Sequence, residues 1–277
     1  MRGRAETKSF VDGCWNSNIG QYNDLCYDRS KLSAFETILL DEQKDSYGSY
    51  CCYCMRKLYV KSNGCPKSNI TFEHIIPHKI TKADWERFKI YYQDFPNLNE
   101  KHLIICYEGN LTEDQKNVKL TRMPYPHMVS YHNLVASCDG TTFEQSALKS
   151  SNCCNNNRQE RFVLPFYLSK DLTNELSYTR KGELDFNDSL FDSEWFDNMH
   201  LNLNSAWLVL VRKIWYKVAN SDYTDSDVES ARLDKELRQN IIDDIDLNNE
   251  ISSWGDNDQV WNLFSEYSWF YHYYKEM

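Results

Sequence analysis

No apolar run in this chain approaches a membrane span. The longest, Ala206 to Val211 and Tyr267 to Tyr274, fall far short of the roughly 20 residues that a spanning helix needs. The opening residues, Met1-Arg2-Gly3-Arg4-Ala5-Glu6, lack the apolar stretch of a secretory signal, so the expected location is the cytoplasm. Internal repeats are absent, which sets repeat architectures aside. Positive charge is in deficit too. A net charge of −10 argues against a chain that binds phosphates along its whole surface.

What is present is an ordinary globular composition, 41% hydrophobic and 26% charged, over 277 residues. That suffices for one good core and an appended lobe, and it excludes a disordered chain. Ten cysteines in a reducing compartment favour metal binding over disulfides. The sequons at Asn69, Asn110 and Asn187 then carry no meaning. Charge is unevenly divided. Residues 1–166 hold 21 Lys+Arg against 19 Asp+Glu, a net +2, whereas residues 167–277 hold 10 against 22, a net −12. A nucleic-acid contact therefore belongs to the first part, and the second should repel a polyanion.

The chain is organised around Thr71-Phe72-Glu73-His74-Ile75-Ile76-Pro77-His78. Ile70 to Ile76 reads as a strand that Pro77 terminates, since proline cannot donate to a ladder. A carboxylate beside an imidazole can hold a hard metal ion through Glu73 and take a proton from water through His74. Such a pair on its own is more often a surface ion pair; here its neighbours are apolar. His78 is read as a bystander. Upstream, Cys51-Cys52-Tyr53-Cys54 spaces two thiolates to face one ion, pairing Cys51 with Cys54 and turning Cys52 away. No βαβ pattern surrounds it to suggest a redox pair. Downstream, His132-Asn133-Leu134-Val135-Ala136-Ser137-Cys138 offers a third cysteine, and Cys153-Cys154 a fourth in either of two registers. Asn133 can hydrogen-bond backbone on both sides of a loop and so fix the pose of the histidine.

Around these motifs, residues 1–30 read as an irregular lead-in, and Leu32 to Asp45 as a packing helix. Met55 to Val60 alternates like a short strand. Ala83 to Gln93 reads as a helix with Trp85, Phe88, Tyr91 and Tyr92 on one broad face. That face is core, or with Lys79, Lys82, Arg87 and Lys89 a nucleic-acid surface. Leu103 to Cys106 is a short strand, Asn110 to Lys119 a polar segment, and Thr121 to Pro126 an extended connector. Tyr178 to Leu184 suggests a hairpin turning at Gly182. Three helices should follow: Ser205 to Ala219 with Ser205 near its cap, an acidic one over Thr224 to Leu247, and an aromatic one over Gln259 to Tyr274.

The block from Leu32 to about Arg161 resembles HNH endonucleases. The order Glu42-Gln43, Cys-x-Tyr-Cys-Met-Arg, Glu-His-Ile-Ile-Pro, Asn-Leu-Val-Ala-Ser-Cys-Asp-Gly, then Leu-Pro, Tyr-Thr-x-x-Gly and Leu-Asn-Leu-Asn, is similar to the PtuB-type nucleases of Septu and retron-associated anti-phage systems. The resemblance implies an α+β fold: a ββα-metal (HNH) core, a four-cysteine zinc knuckle and a mainly helical C-terminal lobe. The corresponding division is 1–48 lead-in and packing helix, 49–166 nuclease, and 167–277 an acidic lobe that docks a partner. It implies a catalytic Mg2+ or Mn2+ on Glu73 and Asn155, with His74 as base, Asn133 holding it and Arg158 on the phosphate. A structural Zn2+ would sit on Cys51, Cys54, Cys138 and Cys154, with Cys153 the alternative fourth ligand. The substrate would be nucleic acid, DNA before RNA, and the partner a PtuA-like ATPase. The long Lys79–Ser130 connection, the doubled cysteines and Asn155 depart from the family pattern. The competing class is a non-catalytic zinc-knuckle binding module, which would not need Glu73, His74 and Asn133 together.

Overall fold

A computed structural model describes residues 4–22, 34–60, 68–95, 98–107, 118–140, 153–158, 165, 175–187, 200–246, 248–252 and 257–277. The fold is α+β. The chain begins with α1 (Arg4–Cys14), β1 (Trp15–Asn16), β2 (Gln21–Tyr22) and α2 (Ala34–Gln43). Then come β3 (Ile70–His74), α3 (Lys82–Phe88), β4 (Leu103–Ile104), β5 (Tyr125–Pro126) and β6 (Leu134–Cys138). A single turn, α4 (Asn155–Arg158), precedes the hairpin β7 (Leu176–Tyr178) and β8 (Leu184–Phe186). The remainder is helical: α5 (Ala206–Ala219), α6 (Asp225–Ser230), α7 (Lys235–Asp244), α8 (Asn248–Ser252), α9 (Asn257–Ser265) and α10 (Trp269–Glu276). The strands among the described residues form two-stranded sheets, β1–β2, β3–β6, β4–β5 and β7–β8. No helix among them is long and apolar enough to cross a membrane.

β3 and β6 form the central ladder. They pair antiparallel with Ile70 opposite Cys138, Glu73 opposite Val135 and His74 opposite Leu134. Every residue of β6 is buried, so both of its faces are covered. Its backbone is also clipped from the side. The Gln43 Nε2 donates to the Ala136 carbonyl at 3.1 Å, and the Ala136 N–H donates to Gln43 Oε1. A side-chain amide at the end of α2 thus satisfies backbone groups that a two-stranded ladder leaves open.

Within the lead-in, the described residues 4–22 are ordered as α1, β1 and β2 rather than irregular. Thr7, Phe10, Val11 and Cys14 are buried on α1 at i, i+3, i+4 and i+7, a stripe interrupted by polar residues and therefore hard to read. Phe10 sits edge-on to Phe35 at 5.3 Å and against Tyr131 at 5.5 Å. Four other expectations are corrected. Met55 to Val60 forms no strand beyond a bridge between Tyr50 and Lys57, because the knuckle ends in a tight turn with Met55 at φ 59°. The helix expected over Ala83 to Gln93 tightens to a 3-10 turn from Lys89 to Asp94, which carries the buried Tyr92 hydroxyl to the Ile75 carbonyl at 3.4 Å. The acidic and aromatic helices are each broken in two. Asp234 interrupts the first by accepting from the Glu236 and Leu237 N–H groups as a fresh N-cap. The second breaks at Glu266–Ser268, where Glu266 turns toward Arg56. Asn110 to Lys119 lies mostly outside the described residues, as do Leu32 and Ser33.

The C-terminal helices follow the expected pattern at α5. Ser205 Oγ accepts from the Leu208 N–H, and Trp207, Leu208, Val211, Ile214, Trp215 and Val218 are buried. The β7–β8 hairpin lies so close to α5 that a Cβ on Gly182 would stand 2.1 Å from the Val209 carbonyl oxygen. Gly182, at φ +83°, is the residue that permits both turn and approach. The charge boundary near residue 166 is no boundary in packing. Arg56 Nε reaches Glu266 at 2.6 Å, the Lys57 N–H donates to the Glu266 carbonyl at 2.7 Å, and the Cys154 N–H donates to the Leu201 carbonyl at 3.0 Å.

Candidate metal centre and active site

The knuckle is built by backbone. The Cys51 N–H donates to the Arg56 carbonyl at 2.8 Å and the Met55 N–H to the Cys51 carbonyl at 3.2 Å, folding Cys51 and Cys54 to one side. Cys138 arrives at the end of β6, and Cys154 immediately before α4. The sulfurs of Cys51, Cys54, Cys138 and Cys154 all lie within 4.8 Å of one another, and all four residues are buried. Cys51 and Cys154 are 3.8 Å apart, Cys54 and Cys138 3.6 Å. Four thiolates bound tetrahedrally at about 2.3 Å would stand about 3.8 Å apart, whereas a disulfide needs about 2.05 Å. These four residues could therefore hold a metal ion, with a geometry compatible with structural zinc. Burial pushes the thiols of Cys54 and Cys154 well above their ordinary value, a penalty that a bound cation would reverse. Cys153 is buried beside the set, interacting with Cys138, Cys154 and Cys54, but the mutually close four include Cys154. Cys52 is buried outside the set, on the side where the charges of Glu73 and Arg158 act on it.

At the other end of the β3–β6 ladder, roughly 13 Å along at about 3.3 Å per residue, stand Glu73 and His74. The His74 Nε2 lies 2.9 Å from the Met128 carbonyl oxygen. A carbonyl only accepts, so Nε2 carries the proton and the neutral ring keeps its basic lone pair at Nδ1. Burial, with His127, His78 and Arg158 adding to it, lowers the His74 pKa to about 3. The imidazole is thus neutral near pH 7.

Asn133 acts through backbone. Its Oδ1 accepts from the Ile76 N–H at 2.7 Å, and its Nδ2 donates to the Ile76 and His127 carbonyls, each at 2.9 Å. The loop after His74 and the turn carrying Met128 are thereby held together, which sets the carbonyl that His74 meets. His127, which no motif in the sequence marks, is the buried floor of that turn. It accepts from the Cys106 N–H at Nδ1 and donates to the Pro77 carbonyl at Nε2, and burial lowers its pKa to about 4. The ring of His78 is 6.1 Å from that of His74.

Arg158 departs from its expected place on a phosphate. It is buried, with Nη1 2.8 Å from Glu73 Oε2 and Nη2 3.0 Å from the His74 carbonyl, and its guanidinium lies 5.7 Å from the Tyr53 ring centre. A single turn of α4 explains this, because the Arg158 N–H donates to the Cys154 carbonyl at 2.7 Å and directs the side chain back across β3. Burial raises the Glu73 carboxyl to about 7 against the pull of Arg158. Glu73 Oε1 makes no hydrogen bond among the described residues. Asn155 occupies the first position of α4. No second cluster of three or more His, Cys, Asp or Glu ligands occurs among the described residues.

No family model, no characterised protein and no solved structure matches this chain.

Proposed function

We propose that this protein is an HNH-type nuclease, similar to the PtuB-type effectors of anti-phage defence, whose four-cysteine centre binds Zn2+. The observation that carries the reading is the environment of His74, a neutral imidazole fixed through Nε2 with its lone pair at Nδ1, one residue from a carboxylate with an unengaged oxygen. A divalent ion, Mg2+ or Mn2+, held by Glu73 and Asn155 would stabilise charge on the phosphate and the leaving oxygen. His74 takes the proton of the attacking water at Nδ1. Its low basicity in the free protein rises as the negative phosphate enters. Asn133 and the Met128 carbonyl keep the ring from turning. Arg158 orients the Glu73 carboxylate and screens its charge, a positioning role in place of the phosphate contact.

A specific observation favours the second reading, a non-catalytic zinc module. The Glu73–Arg158 pair balances the charge of the carboxylate without any metal. Incubating purified protein with DNA and RNA in Mg2+ or Mn2+, alone and with the candidate ATPase, tests the two. Hydrolysis by the wild type and not by His74→Ala supports the nuclease; no hydrolysis under any of these conditions supports the module.

The acidic C-terminal helices are proposed to dock the ATPase. Leu233, in the turn between α6 and α7, is 94% exposed, a large apolar side chain in an acidic part of the chain that should repel nucleic acid.

A further inference from the structure

Four arginines are buried among the described residues: Arg56, Arg158, Arg212 and Arg238. Three have a carboxylate within ion-pair distance. Arg56 meets Glu266 and Asp139, Arg158 meets Glu73, and Arg238 meets Asp258. Arg212, on α5, is 2% exposed and ion-pairs with no carboxylate among the described residues. Its Nη1 donates to the Gly182 carbonyl at 2.8 Å, and its Nη2 to the Leu203 carbonyl. Its Nε has no hydrogen-bond partner among the described residues. The rings of Tyr178 and Phe270 lie 4.7 and 5.9 Å from its guanidinium carbon. Carbonyls and ring faces solvate a cation partly but do not cancel it, and an uncancelled buried charge is among the most unfavourable features a fold can carry.

The missing counter-charge is across a short bridge of backbone. The Leu203 carbonyl that receives Arg212 lies two residues from Leu201, whose carbonyl receives the Cys154 N–H at 3.0 Å. The Leu201–Asn204 segment is thus held between Arg212 on one side and a member of the four-thiol set on the other. Cys54 of that set is within electrostatic reach of Arg212. Four thiolates around one divalent ion carry a net charge of −2. Arg56, whose charge Cys138 also feels, is already claimed by two carboxylates.

We propose that Arg212 is the counter-charge of the metal centre. Loading of the four thiols supplies the anion that this buried guanidinium lacks, and Arg212 in turn tightens the hold on the metal. The proposal rests on the reading of the four thiols as a zinc site. By linkage the effect is reciprocal: metal steadies the hairpin and α5 through Arg212, and Arg212 slows metal loss. The helical C-terminal part of the chain is thereby tied to the metal state of the knuckle. Tyr267 lies near both Arg212 and Cys54, which is consistent with a shared, dry environment.

The test uses the full-length zinc-loaded protein and follows metal release to a chromogenic chelator. Arg212→Met and Arg212→Gln remove the charge; the second keeps a donor for the Gly182 and Leu203 carbonyls. Arg212→Lys keeps the charge without the fork. Both neutral variants should release zinc on the order of tenfold faster than wild type, as outer-shell substitutions do, and Arg212→Lys should stay close to wild type. Amide exchange in the β7–β8 hairpin and α5 should rise on metal removal in wild type, and little further in the neutral variants. Equal release rates for wild type and both neutral variants would overturn the proposal. So would an Arg212→Lys variant as leaky as Arg212→Gln, which would assign the effect to hydrogen bonds. A wild-type protein that takes up no zinc overturns the zinc reading itself, and the proposal with it.

Discussion

The guanidinium of Arg158 lies 2.8 Å from the carboxylate of Glu73, and both side chains are almost fully buried. A buried pair of this kind adds little over an apolar isostere, yet removing one member strands the other. Arg158→Ala should therefore destabilise the protein by about 3–5 kcal/mol, measured by chemical unfolding. A loss below about 1 kcal/mol, the range of exposed pairs, would show that the pair is not desolvated as described.

His74→Ala should reduce nucleic-acid cleavage about 10²- to 10⁴-fold, the contribution of a general base. Metal content and far-ultraviolet circular dichroism should be unchanged, because His74 belongs to neither the thiol set nor a helix. Full activity in this variant sinks the assignment.

For the metal, Cys51→Ser, Cys54→Ser, Cys138→Ser and Cys154→Ser should each lower bound zinc and Tm, since structural metal binding is part of the folding free energy. Cys52→Ser should be mild, and Cys153→Ser milder than Cys154→Ser. Elemental analysis of the variants decides the register, and damage from Cys153→Ser equal to that from Cys154→Ser would count against it.

Stability should also fall in acid through the buried histidines. His127 has a folded pKa of about 4 against an ordinary 6.5. A depressed folded pKa contributes stability that is present above 6.5 and is lost as pH falls toward 4. Within that window the slope from one such proton is about 1.4 kcal/mol per pH unit. His127→Gln should have a correspondingly flatter profile than wild type when urea midpoints are compared from about pH 7 to about pH 4. Parallel profiles would mean that folding does not depress the His127 pKa.

Leu233→Asp should leave unfolding free energy within about 0.5 kcal/mol of wild type, as exposed substitutions do, and should weaken co-purification with the candidate ATPase. Undiminished capture would remove Leu233 from the docking surface.

Much of this arrangement is legible in the sequence because it is local. The Glu73–His74 strand, the Cys-x-x-Cys turn, the Ser205 cap and the Gly182 turn each follow from residues within a few positions of one another. What escapes is what depends on distant partners. Arg158 reads as a phosphate contact until Glu73, 85 positions away, is placed beside it. The aromatic helix reads as continuous because nothing nearby announces that Glu266 must turn out to meet Arg56. Gln43 has an ordinary helix-end composition, and its clasp on Ala136 is visible only once β6 lies alongside. α1 shows a correct 3–4 spacing in Thr7, Phe10, Val11 and Cys14, but the stripe is short and opens on a polar residue, and its partner surface comes from Phe35 and Tyr131.

Cys154 and Arg158 lie at either end of one turn, the first facing the thiol set and the second facing Glu73. Their separation works as a phase angle. Each added residue in a helix advances the side-chain direction by about 100°. A single insertion between them would leave the thiol in place and swing the guanidinium off β3. This stretch should therefore tolerate no change of length.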